Sequence, residues 1–484
     1  MPGQMRCNSE CEGMQMRKRL GFVALLAVGG WMAALPAGAA GQADAQTGVL
    51  GPALLSALLA LLVPVGLLFV AIAGMPSERV PRAGLVAMLS GGLGALAYWA
   101  TGFALQFGGI GLALGGAAYR DLSWEWSLLD VQWGPGWGMA GLRGFFLTNG
   151  ASTPEGLTLF LSHLSWVLVV CMLPALALAS HKRAGLAYIL AVLTGGFLYP
   201  LFGNWVWGGG WLANLGHTRL LGHGFVDYGG SGGPFLLAAA LALAMLLLRR
   251  KADKESPALS GQMPVLAQPA VAVAGVFLML AGWTGWMGSA PQAQAAANAI
   301  PRALVVVVSG GLAGMLAAGF YTWFVARRAD VFMVGRGAVA GAVATLAGAP
   351  IVPVWAGWAV GALAGLLVPV GIYLVDKALR LSDEAALLAT LGVPGFLGAF
   401  VPAILADGAY GAGWNGIAGA GVAGLLAPAA AGWEGQLYAQ AIGVGTALVW
   451  GFVIPWAVGS GAYALFGALF PSRPGAGDRG NAGS

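Results

Sequence analysis

Residues 49–74, VLGPALLSALLALLVPVGLLFVAIAG, run for 26 positions without a charged side chain. About 20 such residues in a helix cross the ~30 Å hydrocarbon core of a bilayer. Ten further apolar windows follow, at 83–107, 157–180, 184–206, 232–250, 266–288, 302–326, 333–351, 353–376, 386–406 and 439–470. Only Pro350 and Pro353 separate the eighth window from the ninth. The composition agrees: of 484 residues, 58% are hydrophobic and 8% charged, and the mean hydropathy is +0.80. A soluble chain carries roughly a quarter charged residues, so this one lacks the means to cover a surface in water. Its 81 glycines follow no Gly-X-Y period and sit inside apolar runs, where they allow close helix packing in lipid. The net charge of +5 does not indicate nucleic acid, because the Lys and Arg residues are scattered over short connections rather than clustered on one face. Three cysteines make no disulfide framework.

The connections orient the spans. With the mature N-terminus outside, inner connections hold fifteen of the 23 basic residues, and outer ones hold only Arg120, Arg143, Arg219 and Arg302. The remaining four precede residue 20. This asymmetry is the positive-inside pattern, and a wrong span count would scramble it. The C-terminus is then cytoplasmic. An odd number of spans also permits two inverted five-helix halves plus a last helix. At the N-terminus, Arg17-Lys18-Arg19, an apolar run from Leu20 to Leu35 and the small residues PAGAAGQADA read as a signal peptide cleaved near Ala39 or Ala40. An uncleaved helix is the alternative. The expected organisation is residues 1–40 as signal and upstream segment, 46–470 as an inner-membrane domain, and 471–484 as a short polar tail.

Two outer segments are long. SWEWSLLDVQWGPGWGMAGLRGFF (123–146) is rich in aromatics, as in a cap over an external vestibule or an interfacial belt. The second, between the fourth and fifth spans, reads NWVWGGGWLA (Asn204–Ala213) and then VDYGGSGG (Val226–Gly233). Its glycine runs permit backbone that a helix refuses, tolerated at membrane depth where it lines protein or a cavity.

This second segment resembles the connection between the fourth and fifth helices of the ammonium transporter family (Amt, Mep and Rh proteins). Pro64-Val65-Gly66-Leu67 with Phe69, YWATGFALQFG (Tyr98–Gly108), GWTGWMGSA (Gly282–Ala290) and QLYAQAIGVGTALVW (Gln436–Trp450) resemble, in order, motifs of the family's first, second, sixth and eleventh helices. The resemblance implies a homotrimer with a pore in each subunit, passing ammonium or ammonia. By position, Trp207 and Ser289 match the outer recruitment site, where an indole face attracts the cation and a hydroxyl accepts its proton. Trp166 and Trp286 stand where the family stacks two phenylalanines as a gate. Asp227 takes an acidic position at the start of the fifth helix and has the form of a helix cap.

The two pore histidines of the family depart. The position eight residues after the aspartate is Phe235, and the Val-His-Gly element of the tenth helix reads Thr390-Leu391-Gly392. His163, one turn before Trp166, is the sole histidine inside a span and a candidate pore histidine. His217 and His223 lie in an insertion, and His181 in an inner loop. Two histidines in a glycine-rich loop without neighbouring Cys or carboxylates are a weak metal pattern, and no metal or other cofactor is expected. The acidic residue that the family carries before its second histidine is Ala386 here, with Asp383 and Glu384 upstream. The short tail speaks against a PII-type partner. Gly229-Gly230-Ser231-Gly232 matches the Gly-x-Ser-Gly of rhomboid proteases, but no histidine follows His223 to serve as base, so no enzyme is expected. The expected function is passage of ammonium, ammonia or a similar small molecule. The alternative is a transport-inactive homologue acting as sensor or scaffold.

Overall fold

The computed structural model describes residues 47–114, 118–133, 135–179, 184–250, 263–289, 299–427 and 433–469. The signal segment, His181 and the tail lie outside the described residues. Among the described residues, ten helices are long and apolar enough to cross a bilayer: α1 (Gly51–Ala73), α2 (Val80–Leu114), α3 (Pro154–Leu178), α4 (Gly185–Trp207), α5 (Ser231–Arg249), α6 (Val265–Ser289), α7 (Ile300–Ala326), then α9 (Val354–Ala378), α10 (Leu388–Leu405) and α11 (Trp433–Ala462). Between α7 and α9 lies a shorter apolar helix, α8 (Val331–Thr345). The protein is a multi-pass, all-α membrane protein.

The window at 333–351 is therefore a shorter helix than its sequence implies, and the loop before α5 shows why. The α8 helix stops at Thr345 and leaves carbonyls that need partners at membrane depth. Ser231 Oγ donates to the Val343 carbonyl at 2.7 Å and accepts from Ala347 N at 2.9 Å, while Tyr228 N and Gly229 N donate to the Ala347 and Leu346 carbonyls, each at 3.1 Å. The serine of the Gly-x-Ser-Gly match is thus a packing staple between α5 and α8.

The two halves repeat one set of neighbours. In the first half α1 packs on α3, α2 on α4 and α3 on α5; in the second α6 packs on α8, α7 on α9 and α8 on α10. The halves meet through α1 against α6 and α5 against α10, and α11 closes on α5 and α10. Five spans per half turn the second half over relative to the first. Close approach rests on missing side chains. Gly310 and Gly314 of α7, Gly337 and Gly341 of α8, and Gly361 and Gly365 of α9 form three Gly-x-x-x-Gly pairs. A Cβ at any of Gly337, Gly341, Gly361 or Gly365 would collide with the backbone carbonyl of Gly310 or Gly314. In lipid, where apolar side chains gain little by meeting one another, such backbone contact drives helix association.

Outside the helices, the aromatic segment folds into a two-stranded ribbon, β1 (Glu125–Trp126) antiparallel to β2 (Ala140–Gly141). Trp124, Trp126 and Trp133 are exposed there, and Arg219 lies over the rings of Trp133 and Trp137. In the following connection Gly209 and Gly230 have φ of +92° and +86°, the left-handed conformation that their glycine identity permits.

Candidate functional site

Trp166 of α3 and Trp286 of α6 lie fully buried and stacked, with ring centroids 4.8 Å apart and planes 1° from parallel. Their indole nitrogens have separate partners. Trp286 Nε1 donates to the Gly229 carbonyl at 2.9 Å, and Trp166 Nε1 to Ser289 Oγ at 3.4 Å. Ser289 in turn donates to the Trp286 carbonyl at 2.9 Å. Trp207, at the end of α4, meets Trp166 edge-on at 4.9 Å, and its Nε1 donates to the Asp227 carbonyl at 2.9 Å. The structure therefore brings Trp166, Trp207, Trp286, Ser289 and the Asp227 backbone into one cluster.

The Asp227 side chain reaches the start of α5 from outside the helix: Oδ2 accepts from Gly233 N at 2.7 Å, and Oδ1 has no hydrogen-bond partner. Burial raises its pKa to about 7, against the opposing pull of the Gly230–Gly233 amides. Capping is thus real but displaced, because the helix begins four residues after the aspartate, in a π-helical turn (Ser231–Leu236).

That turn carries Phe235, fully buried against Trp286 at 5.7 Å and Trp283 at 6.0 Å. Leu391 sits in the matching π-helical turn at the start of α10 (Leu388–Gly392). Wide turns of this kind push side chains out of helical register and recur at functional places. Beside Leu391 is a cavity of about 10 Å³, room for one water at most, lined by Leu67, Val70, Leu173, Thr390 and Arg336 among others. Past it this end of the bundle is charged. Arg79 and Arg249 pair with the Glu384 carboxylate, Arg336 Nη2 donates to the Glu384 carbonyl at 3.4 Å, and Asp383 Oδ2 accepts from Leu388 N at 2.8 Å.

Residues 53–469 match the Ammonium Transporter Family. The chain belongs to that family. It is 27% identical over 330 residues to the ammonium transporter Amt2 of Archaeoglobus fulgidus, covering 66% of this chain and 63% of that one. The matched stretch thus spans under two thirds of that relative. Among solved structures, it superposes on a sensor Amt protein with a TM-score of 0.67 at 19% identity, covering 86% of this chain and 93% of that one. On Mep2 of Saccharomyces cerevisiae the TM-score is 0.63 at 19% identity, covering 87% and 88%.

Within this ammonium transporter fold, His163 is better partnered than its sequence shows. Its Nδ1 lies 3.2 Å from Gln106 Nε2 and 3.3 Å from the Tyr199 hydroxyl, and Tyr98 donates to Gln106 Oε1 at 2.9 Å. Phe107 stands edge-on to the imidazole at 4.7 Å. Sequence reasoning passed over Gln106 although it lies inside YWATGFALQFG; an amide within an apolar span was the available signal. It also passed over Glu125, which leans on Gly109 and Gly138 and whose pKa burial raises to about 7. His217 Nε2 lies 3.0 Å from the Asn415 carbonyl, and His223 Nε2 lies 3.1 Å from that of Ala420. Both tie the insertion to the loop after α10. Among the described residues no group of His, Cys, Asp or Glu could hold a metal.

Proposed function

We propose that this chain carries ammonium, as ammonia at the narrowest point, through a pore between its two halves, and that it works as a homotrimer in the cell membrane. The stacked Trp166 and Trp286 carry the reading. Two parallel rings, one from each half, lie between Trp207 on one side and Phe235 on the other, which is the order of a recruiting indole, a gate and a dry conduit. Trp207 attracts the cation through its ring face, and Ser289 offers a hydroxyl beside it. Asp227, buried and anionic when ionised, favours an arriving positive charge and holds the start of α5. Beyond the gate, neither Phe235 nor Leu391 has a side chain that accepts a proton, and an apolar wall excludes the bare ion by desolvation cost.

The mature N-terminus lies outside after removal of residues 1–40, and the C-terminus is cytoplasmic. The cluster of Arg79, Arg249 and Arg336 at one end of the bundle supports this orientation. The work is transport and not catalysis. Uptake of labelled methylammonium into proteoliposomes tests the reading. Saturable uptake is expected, and uptake no faster than in protein-free vesicles would overturn it.

A further inference from the structure

One ring nitrogen of His163 is held and the other is not. The imidazole is completely buried, and its Nε2 has no hydrogen-bond partner. Three aromatic rings surround it: Phe107 at 4.7 Å, Trp166 at 4.8 Å and Trp207 at 6.0 Å. An unpaired ring nitrogen in such a place costs free energy unless something else visits it. A small cation with N–H groups satisfies both features, since aromatic rings attract a cation and the nitrogen, once unprotonated, offers a lone pair.

Whether Nε2 offers a lone pair or a proton is decided at Nδ1. As assigned, Gln106 turns its amide nitrogen to Nδ1 and its oxygen to the Tyr98 hydroxyl, which leaves the hydrogen on Nε2. Rotating the buried amide by half a turn exchanges the roles at the same heavy-atom positions: Gln106 Oε1 accepts from Nδ1–H, the amide donates to Tyr98, and Nε2 becomes an acceptor. A tyrosine hydroxyl donates or accepts, so Tyr98 keeps its contact with Gln106, and Tyr199 its contact with Nδ1, in both states.

We propose that His163 is the base that takes the proton from ammonium, on the Trp207 side of the gate, in place of a pair at Phe235 and Leu391. One N–H bond of the ion breaks with its electrons remaining on nitrogen, which yields ammonia. One Nε2–H bond forms, which yields an imidazolium whose Nδ1–H is held by Gln106 Oε1. Ammonia continues past the indole pair, and the imidazolium returns its proton to outer water, so no charge crosses. This rests on the ammonium reading above.

The test is ammonium-driven alkalinisation inside proteoliposomes, read by a pH dye in a stopped-flow instrument. His163→Gln keeps a partner for Gln106 and Tyr199 but cannot be protonated, and should slow the flux about tenfold or more. Gln106→Leu, which removes the tautomer control, should slow it as well. A wild-type protein without flux overturns the transport reading and this proposal together; wild-type flux that His163→Gln retains overturns this proposal alone. If His163→Gln does not fold, 15N-histidine spectra of the wild-type chain decide. One imidazole shielded from solvent exchange should move toward the imidazolium pattern with ammonium chloride and not with sodium chloride, and the absence of that movement overturns the proposal.

Discussion

Trp166 and Trp286 face each other across the two halves with planes 1° from parallel, and each indole N–H is anchored to a different neighbour. Neither ring turns aside without giving up a hydrogen bond and a stacking face, so in the proposed gate closure would belong to the pair.

Thinning one leaf of this closure should open it. Trp286→Phe keeps an aromatic ring but removes the bond to the Gly229 carbonyl, and the expected outcome is faster ammonium-driven flux in an intact fold. Trp286→Ala leaves a cavity and should cost about 3–5 kcal/mol of stability, visible as a large fall in thermal midpoint in detergent. Slower flux in Trp286→Phe would argue against a gating role.

Trp207 is expected to set apparent affinity. Replacing it by Leu removes a cation–π face that contributes about 1–2 kcal/mol when desolvated, so the half-saturation concentration should rise roughly five- to thirtyfold. Trp207→Phe should fall between the two, since it keeps a face and loses the Nε1 bond to the Asp227 carbonyl. An unchanged half-saturation concentration in Trp207→Leu rules this role out.

No charge is expected to cross. Solid-supported membrane recordings on the wild-type protein should show flux without ammonium-dependent current, and robust current would refute neutral passage. Phe235→His with Leu391→His places two protonatable groups in the paired π-helical turns, and should create current.

Stability should fall as pH rises through the neutral range. Burial raises the carboxyls of Glu125 and Asp227 from the ordinary carboxylate range to about 7, and raises that of Asp383 in the same direction. The folded protein then binds these protons more tightly than the unfolded chain does, so the stabilisation is complete below about pH 4 and lost as pH climbs toward 7. The thermal midpoint should drop between pH 5 and pH 8, and Glu125→Gln should make the decline shallower. A midpoint that rises over this range contradicts the assignment.

The glycine seam of α7, α8 and α9 should tolerate no side chain. Gly361→Val forces a branched group onto the Gly310 carbonyl, and overpacking of this kind costs about 1–3 kcal/mol. Gly445→Val, on α11 where nothing lies within 4 Å of the added Cβ, should be nearly neutral in the same thermal assay.

Span positions were legible because twenty apolar residues in a row have few alternatives, and most helix ends fall within a few residues of the windows read from hydropathy. The end of α8 was not, because the residues up to Val352 stay apolar after the helix stops. Burial and helicity give the same pattern there, and only the bonds to Ser231 and Gly229 separate them. The tryptophan pair and Trp207 were found through motif spacing. The partners of His163 were not, since Gln106 and Tyr199 lie 57 and 36 residues away in sequence. Contacts between helices of this separation leave no local signature in the chain.

The staple between Ser231 and the end of α8 has a mechanical side. Gly229 uses its carbonyl to hold Trp286 and its N–H to hold Leu346. A single peptide segment therefore grips one leaf of the closure and the broken end of a helix in the same half as that leaf, while itself belonging to the other half. In the proposed gate, a swing of Trp286 would tug on this segment and through it on α8, coupling the two halves as levers. Ala347 then lies on the load line: a proline there deletes the N–H that Ser231 accepts and should alter opening.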